Sequence, residues 1–267
     1  MHRAVVAAVV ALAAPLWASP AASPAPRVEV PPCPSATDAP DVARLVERTQ
    51  ALLQGRTSTG TMVMTITTPQ WTRTLKLQTW AKGEELALLR VVEGGPRETG
   101  MMTLKRDKQL WNWLPRAARV MKLPSGMLGD SWMGSDFTND DLVRGNSLAD
   151  DFVATVKGTV DVQGKRAWQV SLVPKPSAAV VWGRVELLID RSTCLPIEQR
   201  FFDEDDKLTR RLELSDFKRI GWRDFPTRMT IHPAEPGRQT TIVYQDIAFD
   251  IDITDDTFSL HRLQQGR

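Results

Sequence analysis

The chain has 267 residues with 34 basic and 32 acidic side chains, so it carries no overall basic field of the kind that nucleic acid selects. Two cysteines and three histidines leave little material for a zinc site, and neither HExxH spacing nor a cysteine cluster occurs. The length suits one large domain with a substantial core.

Met1-His2-Arg3 is a short basic start, followed by an apolar run from Ala4 to Trp17 and then small residues. That layout predicts a secretory signal peptide over residues 1–22, because the apolar run is short for a membrane span. Residues 23–36, rich in Ala, Pro and Ser, read as a linker, and residues 37–267 as the folded domain. Cys33 follows Val30-Pro31-Pro32 rather than the small residues of a lipidated bacterial cysteine, so a soluble mature chain without a lipid anchor is expected. Cys33 and Cys194 are candidates for a disulfide in an oxidising compartment, two free thiols being the alternative. Closing so long a loop contributes about 5 kcal/mol in the chain-entropy model.

A helix is expected from a cap at Thr37 or Asp38 to Gly55, with Val42, Leu45, Val46, Thr49, Leu52 and Leu53 on one face. After Gly60 the period changes to two. Met62, Met64 and Ile66 share one face of a first strand; Trp80 lies opposite Leu75 and Leu77 in a second. Further strands are expected at 85–92, 100–105 and 109–114, the last with Trp111 and Trp113 on one side. After a long irregular stretch the alternation resumes at 152–156, 167–173, 180–190, 196–202, 208–217, 228–232 and 240–249, and again near 257–260. About eleven strands at near-regular spacing predict a mainly β, antiparallel sheet that curls.

The irregular stretch, WNWLPRAARVMKLPSGMLGDSWMGSDFTNDDL over 111–142, is the most informative part of the chain. A connection has no core of its own, yet this one carries Met121, Met127, Leu128, Trp132, Met133, Phe137 and Leu142. Met101 lies close before it. Core packing explains any one of these residues, but their concentration predicts a lid over an apolar cavity, with Met suiting an irregular guest. Gly126, Gly129, Gly134 and Gly145 supply backbone freedom. Asp136 is placed to cap a short helix over 137–142 and so to hold the lid, with Phe137 and Leu142 facing inward.

Catalytic signatures are lacking. No GxSxG elbow or glycine-rich phosphate loop occurs, and His232 and His261 stand in separate segments. Asp203–Asp206 reads as a solvated hairpin turn rather than a calcium loop, and Asp250, Asp252, Asp255 and Asp256 as the wet face of an edge strand. The residues thus predict a carrier without cofactor, not an enzyme.

The runs LWNWLP, RAARVMKLP and above all WMGSDFTNDDL resemble the periplasmic outer-membrane lipoprotein-sorting family (LolA/LolB-like), in the branch found with RND-type permeases. The likeness extends from the helix at Asp41 to the closing DDTFSL. It implies an unclosed antiparallel β half-barrel with a helical lid over a hydrophobic cavity. It also implies a monomeric carrier passing lipoprotein acyl chains from an inner-membrane permease to an outer-membrane acceptor, with no cofactor and no nucleic acid. Met62, Met64, Trp80, Met101, Trp111, Trp113 and the lid residues would then line or cover that cavity. An arginine soon after the second strand ties the lid in such carriers; the nearest position here is Lys82, making Lys82 and Asp136 the candidate latch. Carriage of free lipid for a permease, and lipid sensing, are the alternatives.

Overall fold

The computed structural model describes residues 32–33, 40–144, 148–178 and 180–266. The expected signal peptide, most of the linker, the expected caps Thr37 and Asp38, and Gly145 fall outside those residues. The described helix α1 runs Val42–Leu53 and is capped by Asp41, whose carboxylate accepts from the amides of Ala43 and Arg44. A cap is needed just there because the first amides of a helix have no partner within it.

Strands β1 (Thr57–Thr67), β2 (Thr72–Lys82), β3 (Leu86–Glu93), β4 (Met102–Arg106), β5 (Gln109–Leu114) and β6 (Arg119–Lys122) form one antiparallel run. Strands β7 (Phe152–Val162), β8 (Lys165–Pro174), β9 (Arg184–Asp190), β10 (Pro196–Phe202), β11 (Leu208–Ile220), β12 (Arg223–Pro233) and β13 (Gln239–Phe249) form the other. The two runs join where β1 pairs with β13, giving one 13-stranded sheet. It is an unclosed half-barrel whose edges are β6 and β7.

Three details differ from the sequence expectation of about eleven strands. β6 was not anticipated, since Pro115 and three basic residues mask its alternation; it pairs with β5 from Trp111↔Lys122 to Leu114↔Arg119. The segment near 257–260 is a 3-10 turn (Asp255–Phe258) leading into a short helix at Leu260–Gln264, not a strand. Asp250 is not on a wet edge either: it follows β13, which lies between β1 and β12, and its half-buried carboxylate pairs with Arg223 at 3.0 Å. Arg223, fully buried, also donates to the carbonyls of Ala51 and Gln54 at the end of α1 (3.3 and 2.6 Å). That link fastens the helix to β12.

The helix α1 puts Leu45 and Val46 onto Trp168, Val170, Leu172, Val185, Leu187 and Ile189 of β8 and β9. Cys194 sits in the same cluster and is disulfide-bonded to Cys33, with the Cα atoms 5.7 Å apart. At the other end of this inner face, Met62, Met64, Ile66, Leu75, Leu77, Leu89 and Val91 pack together. The outer face of β3–β5 is covered too. There Leu88, Met102 and Leu104 meet Phe258 and Leu263 of the C-terminal segment.

Candidate functional site

The lid starts after Leu123 and ends in two short helices, α2 (Asn139–Arg144) and α3 (Leu148–Asp151). It opens with a 3-10 turn at Ser125–Met127 and a second at Trp132–Gly134. In the second, Met133 and Gly134 both take positive φ (52° and 70°), which brings the chain back on itself. The true cap of α2 is Thr138. Its amide donates to the Asp141 carboxylate (2.7 Å) and the Asp141 amide donates to its hydroxyl (3.2 Å), a reciprocal capping box. Phe137 and Leu142 therefore occupy the flanking positions where an apolar staple forms.

Asp136, expected as the cap, has a different task. Its carboxylate accepts from the Thr240 hydroxyl (2.7 Å) and from Arg238 (3.0 Å), and its side chain is 4% exposed. The lid is thereby tied to β13. A second tie joins Asp141 to Arg210 of β11, whose two terminal nitrogens both donate to the carboxylate, one at 2.7 Å. Arg73 of β2 donates to the Met133 carbonyl and pairs with Glu98 at 2.9 Å. Lys105 of β4 donates to the Val143 carbonyl at the end of α2 (2.7 Å); burial lowers its pKa, against the pull of Glu84 and Glu85. Trp132 donates through Nε1 to Thr103 (3.2 Å), which donates to Asn112 (2.9 Å).

Beneath the lid lies a cavity of about 310 Å³. Trp132, Phe137 and Leu142 form its roof, Leu53 of α1 and Leu148 of α3 one side, and the floor comes from β9–β13 with Met62 and Leu89. Phe201, Leu212, Leu214, Phe225, Ile231 and Ile242 make most of that floor. Arg210 enters the wall with its guanidinium over the rings of Trp182 and Phe201, 4.6 and 4.5 Å from their centres. Tyr244, the only tyrosine, also lines the cavity, and burial pushes its phenol up to about 12.

Of the residues expected at the site, Met62, Trp132, Phe137 and Leu142 meet at the cavity. Met64, Met101 and Met133 pack in the cluster beside it. Leu128 packs with Leu110, Leu123 and Val143 under the lid. Met121 lies on β6 opposite Asn112, and Met127 is 41% exposed on the outside of the lid. Trp80, Trp111 and Trp113 are corrections. They face the other side of the sheet, against Phe258, Leu260 and Leu263. Lys82 is one as well, for it pairs with Asp255 near the C-terminus, away from the lid.

No curated protein matches the sequence. Residues 83–265, more than half of the chain, match the model of a family described as uncharacterized proteins. The chain belongs to that family. Its fold is shared with three solved structures. A DUF1329 family protein from Desulfovibrio piger superposes with a TM-score of 0.75 at 20% identity, over 83% of this chain and 97% of that one. A domain assigned to outer-membrane lipoprotein sorting from Vibrio parahaemolyticus gives 0.72 at 18% identity, over 84% and 98%. A LolA superfamily protein from Nitrosomonas europaea gives 0.70 at 18% identity, over 83% and 99%. This chain thus shares its half-barrel architecture with a LolA superfamily protein.

The residues that sequence reading missed are those of the cavity floor. Phe201, Leu212, Ile231 and Tyr244 occur in ordinary alternating strands, with no local signal that their inner face stays partly unfilled. Their parity was readable; the space above them was not.

Proposed function

We propose that the protein is a carrier that shelters acyl chains of lipoproteins in this cavity on the way between the inner and outer membranes, binding and releasing without bond-making. The observation that carries the reading is the roof of Trp132, Phe137 and Leu142 over an apolar floor. The volume of about 310 Å³ stands at the lower end of ligand cavities, which run from about 300 to 1,000 Å³. In the closed form this suits part of a chain rather than several chains. At about 0.8 kcal/mol per buried CH₂, ten methylenes contribute roughly 8 kcal/mol before ordering costs. A lid that competes for the same floor keeps such binding reversible.

The signal peptide expected over residues 1–22 and the Cys33–Cys194 disulfide fit the periplasm, where disulfides persist. The partners on this reading are a permease at the inner membrane and an acceptor at the outer. A second reading, carriage of free lipid for an RND-type permease, is favoured by the small volume. Isolation of the protein from a native periplasm under gentle conditions, followed by mass spectrometry of what accompanies it, separates the two. A triacylated lipoprotein supports the first reading and a free lipid the second. Protein that emerges empty and takes up no acyl probe overturns both.

A further inference from the structure

The cavity wall is not wholly apolar, and two of its polar groups have no partner. Gln199 of β10 is 7% exposed and lines the cavity, yet its side-chain amide makes no hydrogen bond among the described residues. The Tyr244 hydroxyl, on the far wall, makes none either. Neither group is among the buried polar atoms left without a partner, so both open onto the cavity; a primary amide offers two donors and an acceptor, and covering it with hydrocarbon that supplies no partner is costly. Leucine in its place would pack as well as its neighbours do.

The sheet register puts Gln199 opposite Leu212 and Phe201 opposite Arg210. Gln199 and Arg210 are therefore diagonal neighbours, about 7–8 Å apart along the backbone. Arg210 Nε is itself buried without a partner, while its terminal nitrogens are held by Asp141 and the Asp136 carbonyl. One small polar spot thus sits in the apolar wall beneath the lid. Its surroundings disfavour an anion: the charged side chains lining the cavity are the carboxylates of Asp140, Asp141 and Asp151 and the one guanidinium already bound to Asp141.

We infer that the cavity takes an acyl chain together with the neutral carbonyl that links it, ester or amide, and that Gln199 recognises this carbonyl by donating to it from Nε2. The inference rests on the acyl-carrier reading above and adds to it the class of linkage. A hydrocarbon tail covering the amide leaves it unsatisfied, and a free fatty acid brings its charge into a wall of three carboxylates and one guanidinium, the guanidinium already held by Asp141. Both are disfavoured against a linked acyl group.

Calorimetric titration of the full-length protein with 1-monolauroylglycerol, 1-O-dodecylglycerol and lauric acid tests it, since ester and ether differ at the carbonyl. The native protein is expected to prefer the ester over the ether by roughly fivefold, the effect of one added hydrogen bond. Lauric acid is expected to bind more weakly than the ester. Gln199→Leu should abolish the ester preference while leaving ether binding intact; if that variant does not fold, Gln199→Met serves. Equal binding of ester and ether by the native protein, or a preference that survives in the variant, overturns the role of Gln199 while leaving the carrier reading standing. If no amphiphile binds, both fall. Repeating the titration with a phospholipid and with a triacylated cysteinyl peptide assigns the source of the carbonyl, and loss of affinity in Gln199→Leu for whichever binds more tightly supports the proposal.

Discussion

Asp141 does two things with one carboxylate: it closes the capping box of α2 on Thr138 and it takes both terminal nitrogens of Arg210 from β11. The cap of the lid helix and the tie of the lid to β11 therefore share a single residue. The Arg210 side chain is 7% exposed and that of Asp141 20%.

Removing one partner of so enclosed a pair leaves the other charge uncompensated. Arg210→Met is expected to cost about 3 kcal/mol, and the loss should be local at first. Amide exchange over residues 125–143 should quicken while β8 and β9 stay protected. Unchanged protection of the lid in the variant would remove Arg210 as its fastening. Asp136→Asn should act in the same direction through Arg238 and Thr240.

The disulfide spans a sequence separation of 161 residues and binds the segment ahead of α1 to a buried position in the α1 cluster. Reduction is expected to lower stability by about 5 kcal/mol. Urea unfolding with and without reductant reads this directly; coincident curves would show that the bond contributes nothing.

Cys194 also illustrates how far sequence reading reached. The sequence alone leaves its pairing open because bonding depends on a distance that only the fold supplies. Alternation at Met62, Met64 and Ile66 gave the strand and its buried face correctly, because one face of β1 is apolar and the other rich in Thr. At Trp80, Trp111 and Trp113 the same rule failed. Both faces of β3–β5 are covered, one by the lid and one by the C-terminal segment, so parity separates two apolar sides without saying which is concave. The lid was legible as an apolar stretch without a strand's period. Its fastenings were not, because Arg210 and Arg238 lie about 70 and 100 residues away in sequence.

Tyr244 gives a pH signature. Burial lifts its phenol to about 12, above the value near 10 of an unfolded chain. The stabilising contribution is complete below pH 10 and is lost as pH rises toward 12, where the unfolded chain has released the proton and the folded one still holds it. Because the chain has one tyrosine, Tyr244→Phe should remove this part of the alkaline slope. Parallel stability profiles for the two proteins between pH 9 and 12 would contradict the burial.

The most direct measurement of the central claim is the position of a bound acyl chain relative to the two sides of the sheet. Two variants suffice, one keeping only Trp132, in the cavity roof, and one keeping only Trp113, on the outer face. Titration with a chain-brominated monoacylglycerol is expected to quench Trp132 strongly and saturably and to leave Trp113 bright. Equal quenching of both, or none of Trp132, would contradict a chain held beneath the lid.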